Sequence, residues 1–178
     1  MSNQTLLQRA IACLAIQGVF VRECHLTMSP EFDPRVPGTV GVQLKIEPIR
    51  VDQVSYGSEG EGSPSIIFVR VHVKTGIRFV ETGTDKQSSK ETDVEIQGST
   101  KAELLTVFIA EYQKLCEDLE QPAIEEFAQK NAPYHIWPYW REHVQNMCAR
   151  TGLPVFPLPM YSLKPRPADP VEKKAKES

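Results

Sequence analysis

The sequence predicts an α+β fold: a four-stranded antiparallel sheet with an added N-terminal helix, and with C-terminal helices packed on one face. Three observations carry this expectation. Apolar residues recur with period two across the middle of the chain, most cleanly at Ile67, Val69, Val71, Val73, Ile77 and Phe79. The opposite face of that stretch holds Arg70, His72, Lys74 and Arg78, so one side is core and one is wet, as in antiparallel sheets. Helical periodicity brackets this region at both ends, and strands grouped between helices indicate α+β rather than α/β.

Residues 5–17 predict an amphipathic helix. Thr5 and Gln8 have capping-box spacing, Leu7, Ala10, Ile11, Leu14 and Ala15 share a face, and Gly18 is the stop. Phe20, Cys24, Leu26 and Met28 then alternate with more polar neighbours, giving a first strand. Three prolines between 29 and 38 mark a loop. The second strand has Val40, Val42, Leu44 and Ile46 in phase. After Pro48 the apolar set shifts to Ile49 and Val51, which predicts a β-bulge or a sheet edge. Residues 56–64 and 82–90 are polar turns. Val94 and Ile96 suggest strand. Residues 104–112 are apolar on both faces and are assigned mainly to strand because Val107, Phe108 and Ile109 are β-branched or aromatic, with a helix as the competing assignment.

Residues 122–129 predict a short helix with Ile124, Phe127 and Ala128 inward. A second helix is expected to start at Pro138, which suits a first helical position, and to stop at Gly152 and Pro154. Trp140, Val144, Met147, Cys148 and Thr151 form one apolar stripe along it. From residue 162 the chain is charged and proline-rich without apolar period, so it should be disordered. The expected organisation is thus a helix over 1–18, a folded domain over 19–161 and a tail over 162–178.

Composition removes several function classes. The 178 residues suit one domain with a real core. The net charge is −3, and the tail sets five cations against three carboxylates, so the body stands at −5. A mildly acidic body argues against nucleic-acid binding. No run approaches the length of a membrane span, and Arg9 interrupts the first apolar stretch, so neither a membrane segment nor a signal peptide is expected. Cys13, Cys24, Cys116 and Cys148 lack C-x-x-C pairing, which indicates reduced thiols in a cytoplasmic protein and no zinc site.

Catalytic signatures are missing. His135 and His143 stand eight apart, unlike the i, i+4 pair of a zincin; His25 and His72 lie on strands as partly exposed surface residues. Glu125 and Glu126 are adjacent and point to different sides of a helix. No phosphate loop, dinucleotide loop or nucleophile elbow occurs. The chain is therefore expected to be no enzyme and to need no cofactor. The crowded aromatics Tyr134, Trp137, Tyr139 and Trp140 are more suggestive. Trp140 suits a staple at the helix entry, while Tyr134 and Trp137 suit a groove wall for apolar client side chains.

An aromatic residue, Pro-Tyr-x-Arg-Glu, a helix, glycine and a Pro-rich exit, here Trp137, Pro138, Tyr139, Arg141, Glu142, Gly152, Pro154 and Pro157, resembles the SecB family of export chaperones. The resemblance spans roughly residues 19–160, and the order of four strands before a long helix agrees with it. It implies an ATP-independent holdase, a homotetramer built as a dimer of dimers, that takes unfolded proteins into apolar grooves and passes them to the motor SecA. It places Leu44 and Ile46 at groove positions of the second strand and Phe108, Ile109 and Tyr112 around the groove on the fourth. It places Glu23 and Glu111 at acidic positions used for docking SecA. Two departures bear on that partner: Thr27 stands at a further acidic position, and the Pro/Lys tail replaces the family's C-terminal helix. The resemblance therefore implies intact client binding with weak SecA docking. The alternative is a dedicated adaptor with one specific protein partner, including chaperones that protect an antitoxin.

Overall fold

A computed structural model of the chain describes residues 5–35, 40–57, 65–81 and 99–161. The elements are α1 (Leu6–Cys13), β1 (Leu14–Met28), β2 (Val40–Tyr56), β3 (Ile66–Glu81), β4 (Thr100–Lys114), α2 (Gln121–Lys130) and α3 (Ala132–Thr151). The four strands form one antiparallel sheet in the order β1-β4-β3-β2. The fold is the expected one: a four-stranded antiparallel sheet, an N-terminal helix, and C-terminal helices on one face.

The period-two stretch becomes β3, and its odd-numbered residues Val69, Val71, Val73, Ile77 and Phe79 are fully or almost fully buried. Residues 104–112 are strand, not helix. Their even-numbered side chains Leu104, Thr106, Phe108, Ala110 and Tyr112 complete the same buried layer, because β4 pairs with β3 in register Ile77 to Leu104 and Val69 to Tyr112. Helices α2 and α3 lie over this layer with Ile124, Phe127, Ile136, Trp140, Val144 and Cys148 inward. Met147 and Thr151 are half-buried beside that stripe.

The phase shift at Pro48 is a register shift between Pro48 and Arg50, on a strand that is also a sheet edge. The bulge leaves Ile49 half exposed and lets Val51, opposite Val71, rejoin the helix-side face.

Four local expectations are corrected. Helix α1 begins with the predicted Thr5–Gln8 capping box but ends at Cys13, not at Gly18, so the helical unit is shorter than 1–18. Residues from Leu14 onward pair with β4 instead (Leu14 with Lys114, Ile16 with Tyr112), and Gly18 falls at a register shift. Ladder pairing outweighs the local helical pattern. Helix α3 starts six residues before Pro138. Pro133 takes the early helical position, and Ala132, Pro133 and Ile136 are buried, so the core holds this extra turn and a half in place. Pro138 sits inside the helix on its exposed side, where the bond it removes would have gone to the carbonyl of exposed Tyr134.

Cys13 and Cys116 are not free thiols but form a disulfide across 103 residues. The pairing of Leu14 with Lys114 brings them together, and Leu115 N donates to Cys13 O at 2.8 Å. Cys24 and Cys148 are free. The fourth correction concerns the start of β1, which lies at Leu14 rather than near Phe20. Val94, Ile96, the turns over 58–64 and 82–90 and the tail over 162–178 lie outside the described residues.

Trp140 anchors the helix layer at 0% exposure, and its indole Nε1 has no partner among the described residues. Trp140→Ala is expected to destabilise the chain by about 3–5 kcal/mol. Trp140→Phe should cost clearly less, because the N–H it deletes has no partner among the described residues. Urea denaturation of the two variants checks both.

Candidate functional site

The helix layer covers only the middle of the sheet. On β3 and β4 the helix-side residues are buried, whereas on the edge strands they stay open. Ile16 and Val21 of β1 are 44% and 49% exposed, and Leu44 of β2 is 39% exposed. Register puts all three on the helix side, opposite Tyr112, Phe108 and Ile77 respectively. Two apolar flanks thus run beside the helices.

The residues expected to line a groove divide among four places. Leu44 and Ile46 lie on the β2 flank, half-buried and accessible. Phe108 and Tyr112 do not line a groove: they are core, 2% and 0% exposed. Phe108 meets the His143 ring edge-on at 5.7 Å, and Tyr112 packs edge-on against Phe127 at 4.9 Å while its hydroxyl lies 3.0 Å from His135 Nδ1. Ile109 points to the other face of the sheet, opposite exposed Phe20.

Tyr134 and Trp137 project from the first turns of α3, where the chain's own C-terminal segment packs against Trp137 and touches Tyr134, which stays exposed. Trp137 Nε1 donates to Pro159 O at 2.9 Å, and the Tyr161 ring lies 5.0 Å from Trp137 and 6.0 Å from Tyr134. This aromatic cluster is at the Tyr112 end of the sheet. Leu44 is level with Leu104, eight residues along β4, or roughly 27 Å away at ~3.4 Å per residue. The two halves of the expected groove are therefore at opposite ends of α3.

At the same end of the sheet as Leu44, but beside the opposite edge strand β1, is a hollow of about 540 Å³ lined by Met28, Pro30, Phe32, Pro34 and Gly152, with Asp33, Arg35 and Thr151 at its polar margin. Met28 ends β1 one step beyond the Leu26–Leu104–Ile77–Leu44 row, and Gly152 caps α3 in the left-handed conformation (φ 73°). The hollow was missed from the sequence because residues 29–38 read only as a proline loop. Phe32, an aromatic residue amid those prolines, was the available signal. Asp33 pairs with Arg35 at 2.8 Å, which holds its carboxyl down at about 2.

The face away from the helices is a lattice of ion pairs. Arg70 meets Glu111 at 2.6 Å, Arg78 meets Glu103, and Asp52 takes both Arg50 and His72. Burial pushes the Asp52 carboxyl up, but the bonds from Arg50 and His72 outweigh it and hold the group below its ordinary range. Glu23 and Glu111 share this face at sheet positions opposite Val107 and Gly18. Glu111 is already engaged by Arg70, and Glu23 is exposed. Among the described residues no group of three His, Cys, Asp or Glu side chains is placed to hold a metal, and no helix is long and apolar enough to cross a membrane.

No family model and no curated protein matches the chain. Solved structures do. The Mycobacterium tuberculosis SecB-like chaperone, in complex with a ChAD peptide from the HigA1 antitoxin, superposes with a TM-score of 0.64 at 19% identity, covering 89% of this chain and 98% of that one. The fold is SecB-like. The likeness extends over the sheet and its helices, far beyond the aromatic–proline motif that first suggested it.

Two outcomes follow from this geometry. Tyr112→Asp should unfold the chain, because a carboxylate would be stranded in the core, while Ile46→Asp should leave it folded; circular dichroism of both variants checks the contrast. His135 and His143 are both depressed below 6.5 by burial. The unfolded chain then binds more protons than the folded one as pH falls through about 6.5, so stability is full above that pH and is lost below it. Denaturation midpoints measured from pH 7.5 down to 5 should fall, and less so in the His135→Gln variant.

Proposed function

We propose that this chain is an ATP-independent chaperone that holds unfolded polypeptide segments on the apolar flank formed by Leu44 and Ile46, with a second apolar site in the hollow at Met28, Phe32 and Pro34 on the β1 side. One observation carries the reading. A sheet half-covered by helices leaves apolar residues of both edge strands open in the single chain, and proteins rarely keep such patches without use. The flank is long, narrow and bordered by β2, an edge strand among the described residues. That suits an extended peptide, whose main chain can add to the edge while alternate side chains enter the apolar strip. The likeness to a structure solved with a bound peptide supports the same reading.

The client range is the second part of the proposal. That neighbour's peptide comes from an antitoxin, which favours a dedicated partner over general export. Trp137 enters client binding only where the segment at Pro159–Tyr161 lifts away, whereas Tyr134 is already open. SecA docking through Glu23 and Glu111 is proposed to be weak: Glu111 already serves Arg70, and rim charges chiefly steer encounter and are screened by salt. The first half of the β1 flank, with Ile16 and Val21 open, is proposed to be covered by a second copy in a homotetramer, a dimer of dimers.

An aggregation assay with a chemically unfolded client tests the function. Stoichiometric wild-type chain should suppress aggregation without nucleotide, and Leu44→Asp should weaken the client by about tenfold, since docking would desolvate a charge. Absence of suppression for any unfolded protein or antitoxin segment would remove the reading. Native mass spectrometry of the same samples should give four copies per assembly, and a monodisperse monomer would remove the tetramer. Deleting residues 162–178 should leave client holding unchanged.

A further inference from the structure

Three side chains from three elements converge on the helix side of β1. Cys24 of β1 lies directly across from Thr106 of β4, and His143 of α3 comes down over both. Cys24 Sγ is 3.6 Å from His143 Nε2, Thr106 Oγ1 is 3.2 Å from the same nitrogen, and Thr106 Oγ1 makes a longer contact of 4.0 Å with the sulfur. Thr106 is 1% exposed. Phe108 meets the imidazole edge-on and fixes its plane. Cys24 itself is exposed. Residues 119 apart in sequence give no local spacing by which this arrangement could be recognised.

We propose that Cys24 is an activated thiol and a modification site for small disulfide compounds. The thiolate is the nucleophile of sulfur chemistry, and a positioned base generates it on demand. Burial disfavours the charged form of His143, so the ring is a neutral acceptor near pH 7. In the reaction the Cys24 proton passes to His143 Nε2, and a sulfur lone pair attacks one sulfur of the disulfide. The old S–S bond breaks, its electron pair leaves on the departing thiolate, and that thiolate takes the proton back from His143. The products are a mixed disulfide on Cys24 and one free small thiol, with no net oxidation. Thr106 donates toward the sulfur and steadies the developing charge. The other cysteines lack this environment: Cys148 is buried, which raises its thiol, and Cys13 and Cys116 are bonded to each other.

The test uses the full chain without reductant and dithiobis(nitrobenzoate) as the aromatic disulfide, read by release of its coloured thiolate, with peptide mass mapping. One thiol per chain should react fast, at Cys24, at least about tenfold faster than Cys24 of the urea-unfolded chain, both rates scaled to N-acetylcysteine in the same buffer. Cys24→Ser should abolish the fast phase and Cys148→Ser should leave it. His143→Gln, with an unchanged melting temperature, should slow it about tenfold. A native rate no higher than the unfolded rate, or a fast phase indifferent to His143→Gln, overturns the proposal. Should His143→Gln not fold, the native-to-unfolded ratio in the wild-type chain decides alone.

Discussion

One helix layer cannot cover four strands, and the rest of the structure depends on that mismatch. Strands ~4.8 Å apart give a four-stranded face roughly 19 Å wide, while a helix with its side chains is about 10 Å across. Helix α3 therefore protects the middle of the sheet. Along β3 and β4 every helix-side position from Val69 to Phe79 and from Ala102 to Tyr112 is buried; along β1 only Leu14 is, and along β2 none. The sequence nevertheless keeps Ile16, Val21, Leu44 and Ile46 apolar on those outer strands. A chain that only needed to fold would tolerate polar residues there. These open flanks are the surface we propose for another polypeptide.

The two faces of the sheet divide the work. Away from the helices, neighbouring strands pair opposite charges, Arg70 with Glu111 and Arg78 with Glu103, on side chains that keep contact with water. Exposed pairs of this kind add little stability each. They make the β3 side of that face polar, while the exposed Phe20 opposite Ile109 keeps an apolar spot on its β1 side. At one end of α3 Trp137 is engaged by Pro159 and Tyr161. At the other end the hollow beside Gly152 stays open. Open apolar surface at that end lies beside Met28 and Phe32 on one edge and at Leu44 on the other.

Strand alternation was legible in the sequence wherever one face is buried and the other wet, as in β3, and the bulge at Pro48 was legible because the apolar phase itself changes there. Strand order was not legible. It decides that β4 is central, and so that Phe108 and Tyr112 are core while Ile109 faces the opposite side. The same pairing of β1 with β4 ends α1 at Cys13 and brings Cys13 to Cys116, neither of which local patterning could reveal. Two prolines, 133 and 138, each suit a helix start. The choice between them belongs to burial of Ala132, Pro133 and Ile136 against the sheet, a tertiary fact. The hollow at Met28 and Phe32 was hidden for a related reason: a proline loop acquires shape only from what it packs beside.

Hydrogen exchange of the chain with and without a saturating unfolded client tests the account most directly. Client binding should slow exchange in the first half of β2, residues 40–48, and in the segment 28–35, while peptides covering β3 and β4 keep the exchange they already have. Protection confined to β3 and β4, or spread evenly over the chain, would contradict the claim that the uncovered edge of the sheet is the client surface.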